Sequence, residues 1–277
     1  MAIKIVTDSV ADLPAGLVEE LDITVVACNV VLGDVNYKDG VDLGPDELYR
    51  RMAAGPGLPT TSQPSMAEFQ SVYQELTANG DSIVSIHPSA KVSGTFNSAQ
   101  QARNSLGDAD IHVIDSGMAS IAEGLTVLTA AQLARDSGSA EEVAAQIEAG
   151  LSKTHAFFLL DTLEYLQKGG RIGKAQAFLG GVLSVKPILG MKDGEVHPVE
   201  RPRSRQRGLR RLRELAAQMA PVRQLAVIYS TELQEAEDLK QGFSDLLPDD
   251  QIITARFGSA LGVYVGPHAV GVALTQA

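Results

Sequence analysis

The chain has 277 residues, enough to bury a substantial core as one large domain or two moderate ones, and its 44% hydrophobic and 21% charged content is that of a folded globular protein. A formal net charge of −11 repels phosphate backbones and anionic lipid surfaces over most of the molecule, which argues against a general nucleic-acid binder and against stable membrane insertion. The single cysteine, Cys28, excludes an intramolecular disulfide and a thiolate zinc cluster.

The amino-terminal MAIKIVTDSVADLP begins a short strand and lacks the long apolar core of a signal peptide, so a cytoplasmic protein is expected. Apolar and amphipathic runs then alternate: IKIVTD, LPAGLVEEL, ITVVACNVVL, PDELYRRMAA, MAEFQSVYQELTANG, DSIVSIH, FNSAQQARNSL, DIHVID and a long helical stretch from Ala119 to Ser137. This rhythm predicts an α/β fold, a parallel sheet with helices on both faces, with Cys28 as a buried strand residue. A helical SAEEVAAQIEAGLSK and a strand HAFFLL open a second α/β unit with a mixed sheet, and the boundary is placed near Lys153, giving domains 1–153 and 154–277. Within it, MKDGEVHPV reads as two short strands around an Asp-Gly turn. Residues 257–274, FGSALGVYVGPHAVGVAL, hold no formally charged side chain, but their glycines, proline and histidine break them into strand-sized pieces rather than a membrane span.

In a parallel sheet the loops leaving the carboxyl ends of the strands gather on one edge, where ligands bind. Four segments are assigned there: TDSVAD (7–12), TTSQPS (60–65), HPSAKVSGT (87–95) and DSGMAS (115–120). Each also has a local explanation, with Ser9 and Asp12 resembling a capping box, Ser116 capping the next helix, and Ser62 or Ser65 starting the helix at Met66. HPSAKVSGTFNSA places Ser89, Ser93, Thr95 and Ser98 around one glycine, which suits either a heavily capped turn or a polar cradle for a ligand's oxygens.

The sequence gives little support to several familiar chemistries. QKGGRIGKAQ has Lys168 and Ala175 where a phosphate loop needs glycine and a hydroxyl; no Gly-x-Gly-x-x-Gly follows the first strand; and there is no zinc motif or Gly-x-Ser-x-Gly elbow. No cofactor and no metal are therefore expected. Gly169-Gly170 set Arg171 on a tight turn, either to meet an anion or merely to cap a helix. The small apolar run AQAFLGGVLSVKPIL allows close packing or a narrow apolar guest. RPRSRQRGLRRLR, residues 201–213, concentrates seven of the fourteen arginines; some form the wet face of a helix, whereas Arg201, Arg203 and Arg205 precede it and offer a docking point for an acidic partner.

In this order, TDSVADLP, TTSQPS, SAKVSGTFNSA, DSGMAS, LEYLQKGGRIG, KPIL and VGPHAVGVA resemble the DegV family, fatty-acid-binding proteins that serve bacterial fatty-acid kinases. The resemblance covers essentially the whole chain; its specificity lies in the order and spacing of motifs that are weak singly. It implies a two-domain DegV-like α/β fold holding one long-chain fatty acid, the tail in the second domain and the carboxyl at the junction. A partner kinase's ATP-binding subunit would phosphorylate that carboxyl to an acyl phosphate, feeding phospholipid synthesis. The implied head-group residues are Thr61, Ser62, Ser93, Gly94, Thr95 and Arg171, and the implied docking residues are the arginines near Arg203. Family members usually read His-x-Gly-Pro-Gly near the end, whereas YVGPH here has Tyr264 in the histidine position and His268 in place of the last glycine. A phenol still donates a hydrogen bond to a carboxylate but carries no positive charge, and His268 is assigned a compensating role.

Burying a tail gains roughly 0.8 kcal/mol per methylene, so about fourteen give on the order of 11 kcal/mol before ordering costs. Neutral donors then need only orient the acid end. Two other readings stay open from the residues alone: a hydrolase or transferase using one of the clustered serines, and a lipid-responsive regulatory protein.

Overall fold

The computed structural model describes residues 2–55, 57–179 and 186–277. In chain order, β1 (Ile3–Asp8), α1 (Ala15–Glu20) and β2 (Ile23–Val26) lead to β3 (Asn29–Leu32), β4 (Val35–Lys38), α2 (Pro45–Ala54) and β5 (Thr60–Ser62). Then come α3 (Met66–Thr77), β6 (Ser82–His87), α4 (Thr95–Asn104), β7 (Ile111–Asp115), α5 (Ile121–Asp136) and α6 (Ala140–Gly150). The rest comprises β8 (Thr154–Leu159), α7 (Glu164–Lys168), β9 (Ile188–Lys192), β10 (Glu195–Glu200), α8 (Arg205–Ala217), β11 (Val222–Tyr229), α9 (Leu233–Gln241), β12 (Ile252–Arg256), α10 (Ser259–Val265) and β13 (Val270–Gln276).

The strands form three sheets. β2-β1-β6-β7 is wholly parallel, as the alternating runs predict. Its period-two pattern divides the core: Val6, Val26, Ile83 and Ile111 pack with α3 and α4, while Ile5, Ile23, Val84 and Ile114 pack with α5 and α6. The second sheet, β10-β9-β8-β13-β11-β12, is mixed, with β11 and β12 parallel and the other pairs antiparallel. Between the two lies α5, buried nearly all round from Ile121 to Ala131, which is why its sequence shows no polar stripe. One hydrophobic cluster runs through it from Ile5 to Ala273, joining both halves of the chain.

Three expectations need correction. ITVVACNVVL is two strands of different sheets, because the chain turns at Ala27-Cys28; Cys28 is buried but lies between strands. Its second strand, β3, centres a small antiparallel sheet β4-β3-β5, so TTSQPS begins with an edge strand rather than a loop of the parallel sheet. Residues 257–274 contain a helix, α10, ahead of β13. Local chemistry elsewhere is as read: Ser65 and Glu68 form a reciprocal capping box for α3, and Asp193-Gly194, both at positive φ, turn β9 into β10. Of AQAFLGGVLSVKPIL, residues 180–185 lie outside the described residues.

Candidate functional site

The carboxyl ends of β1, β6 and β7 point toward the second sheet, and the space between is a cavity rather than packed side chains. About 120 Å³ of it is open to the centres of water-sized spheres, roughly ten times the ~10–15 Å³ that one water requires, so it is no packing defect. Its walls are apolar: Val10, Phe158, Leu160, Leu166, Leu189, Met191, Val196, Phe257, Ala260 and Leu261 all line it. Polar groups collect among Thr61, Ser62, Gln63, Ser93, Gly94 and Tyr264, and Arg171 is the one charged side chain on the lining among the described residues.

Each of these groups is held by local structure. Ser93 lies just before α4, where its hydroxyl accepts from the Thr95 amide at 3.3 Å and meets the Thr95 hydroxyl at 2.9 Å. Gly94 lies close under the Gln63 side chain, whose amide nitrogen would stand 2.8 Å from a Cβ at that position and would have to swing aside. The Tyr264 hydroxyl bonds that of Thr61, joining α10 to β5. α7 ends at Gly169, whose missing side chain admits the Tyr264 ring; a Cβ would fall 2.5 Å from two ring carbons. Gly170, at φ +71°, reverses the chain into Arg171. The Arg171 guanidinium donates to the carbonyls of Gly169 (2.9 Å) and Val92 (3.4 Å) and lies 5.5 Å from the centre of the Tyr264 ring. It thus sits at the rim of the cavity with no ion-pair partner among the described residues.

Behind the wall is a group of buried acids, of which the sequence singles out only Asp12, as part of a capping box. Asp8 and His87 are fully buried and bonded at 2.7 Å; the other His87 nitrogen meets Ser85 Oγ at 2.7 Å, and Tyr73 donates to Ser85. This has the connectivity of a serine hydrolase triad, yet Ser85 is fully buried and lines none of the cavity, so no acyl carbon reaches it. Glu123, from α5, is buried with one oxygen unpartnered, and burial pushes its carboxyl well above the ordinary range, with the neighbouring Asp8 charge adding to the shift. Burial likewise raises Asp12 and Asp39, against hydrogen bonds that oppose the shift.

The structure brings Thr61, Ser62, Ser93, Gly94, Arg171 and Tyr264 together on one cavity. Two other expected head-group residues are elsewhere. Thr95 is fully buried and off the lining, its hydroxyl turned to that of Ser93. His268 follows the turn after α10 with φ +59°, its half-exposed ring against Glu232 (3.1 Å) and Thr231, outside the cavity. Among the arginines, Arg205 is committed to Glu235 and Asp161 and is unavailable for docking. Arg201 and Arg203 are exposed, Arg201 lying 4.5 Å over the ring of Phe178. The capping roles given to Ser9 and Ser116 are also revised: Ser9 Oγ accepts from the Cys28 amide, and Ser116 from Met118 within its own turn. Gln63 and Cys28, both on the lining, were missed; the burial pattern offered no signal for either.

A family model described as an uncharacterised protein, DegV family, matches residues 2–277. The chain belongs to the DegV family. It is 34% identical over 277 residues to protein DegV of Bacillus subtilis, with 98% of each chain covered. A DegV family protein of Thermus thermophilus, solved for its fatty acid binding, superposes with a TM-score of 0.92 at 33% identity, covering 99% of both chains. A DegV-fold protein of Eubacterium ventriosum described as stearic-acid-binding gives 0.90 at 29% identity, covering 99% of this chain and 98% of that one. The parallel and mixed sheets described above are thus the DegV fold.

Proposed function

We propose that this chain is a carrier that encloses one long-chain fatty acid in the cavity between its sheets and presents the carboxyl group to a kinase's ATP-binding subunit, which converts it to an acyl phosphate. The observation that carries the reading is the cavity itself: an apolar channel with hydroxyls, an amide and one guanidinium gathered on its lining. Such a site grips a tail by desolvation and orients an acid end with donors. Thr61, Ser62, Ser93, Gly94, Arg171 and Tyr264 receive the carboxyl, and domains 1–153 and 154–277 meet along the tail. The exposed Arg201 and Arg203 form the docking surface for the kinase.

Hydrolysis is the weaker alternative. No histidine or carboxylate lines the cavity among the described residues, and the Ser93 hydroxyl faces another hydroxyl rather than a base. No helix among them is long and apolar enough to cross a membrane, and a cytoplasmic role in phospholipid synthesis belongs to the same proposal.

Organic extraction of the purified protein followed by mass spectrometry is expected to release about one fatty acid per chain. A chain that carries none, and binds no acyl chain offered from C14 to C18, overturns the proposal. The kinase step is tested separately, by transfer of label from ATP to the bound fatty acid, which should require the partner chain.

A further inference from the structure

Two of the five non-glycine residues at positive φ among the described residues touch each other beside the cavity. Asp12 has φ +50°, and Ser120 has φ +63° with ψ −158°, a region occupied almost only by glycine. The Ser120 hydroxyl donates to Asp12 Oδ2 at 2.7 Å, and Ser120 lines the cavity. Backbone strain at such a residue persists only where its surroundings over-determine it.

What surrounds it is the start of α10. The other Asp12 oxygen accepts from the Gly258 amide at 2.8 Å, and Asp39 Oδ1 accepts from the Ser259 amide at 2.7 Å. Ser259 Oγ adds a bond to the Leu43 carbonyl at 3.0 Å. Both carboxyls come from the amino-terminal half, while α10 belongs to the other. Gly258 sits tightly against both carboxyls: its Cβ would stand 3.1 Å from Asp12 Oδ1 and 3.3 Å from Asp39 Oδ2. One turn later, Gly262 packs so closely on α2 that a Cβ would fall 2.6 Å from Leu48. Asp39 Oδ2 itself is buried with no partner, which costs free energy unless the residue is kept for another reason. Between them, the two carboxyls fix the start of a seven-residue helix whose sixth residue is Tyr264.

We propose that Asp12 and Asp39 are positioning residues of the head-group site: by seating the start of α10 they hold the Tyr264 hydroxyl on Thr61 and the Tyr264 ring beside Arg171. This rests on the fatty-acid reading of the cavity. Neither carboxyl lines the cavity; each acts through α10, a helix of about two turns.

The test is a double-mutant cycle on palmitate affinity in the delipidated full chain, with Asp39→Ala and Tyr264→Phe. Asp39→Ala is expected to weaken palmitate binding about tenfold in the unsubstituted background and less than twofold on Tyr264→Phe, because the contact it supports is already gone. A loss that a general weakening of the fold produces is equal on both backgrounds, and that result overturns the proposal, as does an Asp39→Ala chain that binds palmitate normally. Should Asp39→Ala not fold, Asp39→Asn keeps the shape and the Oδ1 acceptor and enters the same cycle, with a loss of about threefold expected on the unsubstituted background only. Failure of the unsubstituted chain to bind palmitate at all overturns the acyl reading, and this proposal with it.

Discussion

Replacing Gly169 by alanine isolates the packing of Tyr264 from everything else at the mouth. Gly169 has φ −76° and ψ −7°, an ordinary right-handed conformation, so alanine adds no backbone strain; it reduces the freedom of the unfolded chain and alone would stabilise by about 0.4–1 kcal/mol. The obstacle is the new Cβ, 2.5 Å from the Cδ1 and Cε1 of Tyr264. The ring must retreat by roughly 1 Å to reach the ~3.5–4.0 Å of normal carbon contact. Overpacking of this kind costs about 1–3 kcal/mol, and loss of the Tyr264–Thr61 hydrogen bond adds about 0.5–1.5 kcal/mol. The expected outcome is a net destabilisation of about 1–3 kcal/mol in urea unfolding, with palmitate affinity lowered about tenfold. Gly170→Ala is the control: at φ +71° with nothing within 4 Å of the new Cβ, it bears only a conformational cost of about 1–2 kcal/mol and should leave affinity within twofold. If the two variants bind palmitate equally, Tyr264 does not shape the site and the reasoning fails.

Ser93→Ala removes a half-buried hydroxyl that meets the Thr95 hydroxyl and accepts from the Thr95 amide, so isothermal titration should show fatty-acid binding weakened about tenfold to a hundredfold, since hydrogen bonds to a charged group are worth about 1.5–3 kcal/mol, while urea unfolding loses only about 0.5–1.5 kcal/mol. Glu123→Gln should raise stability at pH 8. The Glu123 carboxyl is raised from 4.5 in the folded chain, so the native state keeps a proton the unfolded chain has lost, and wild-type stability falls as pH climbs from 4.5 through the raised value. The advantage of glutamine should vanish below pH 4.5, and an advantage independent of pH would contradict the buried-charge account. Arg203→Glu should abolish capture of the kinase subunit without moving the urea midpoint, whereas Arg205→Met should lower stability by about 1–3 kcal/mol because Asp161 and Glu235 lose their shared cation. Equal effects of the two on stability would remove the distinction drawn between them.

The elements that the sequence made legible are those whose signal is local. IKIVTD and DSIVSIH carry adjacent buried apolar residues because both faces are covered, one by α3 and α4 and the other by α5, and Ser65-x-x-Glu68 marks its helix start by two reciprocal bonds within four residues. The segments misread lack such a signal. β5 is three residues long and exists only by pairing with β3, some thirty positions earlier. SALGVYV, rich in residues that suit strands, is helical because Asp12 and Asp39 bind its first amides and α2 receives Gly262. Tertiary contacts override propensity there.

The same distinction explains the site. Thr61, Ser93 and Arg171 stand on three segments far apart in sequence, and an inference from the family resemblance named all three; they reach one cavity from β5, from the loop ahead of α4 and from the turn after α7. His268 failed the same inference although it is only four positions from Tyr264. Gly266, at φ +71°, with Tyr165 so near that a Cβ would fall 2.3 Å from its ring, turns the chain away from the cavity, and a glycine's sign of φ is not written in its neighbours. Ser85, His87 and Asp8 make the converse point. They reproduce the connectivity of a nucleophile, base and orienter, but every one is fully buried, and Tyr73 rather than a substrate fills the remaining side of the serine. Among the described residues, the polar groups that the cavity does reach are hydroxyls, an amide, a thiol and one guanidinium, with no carboxylate or imidazole beside them.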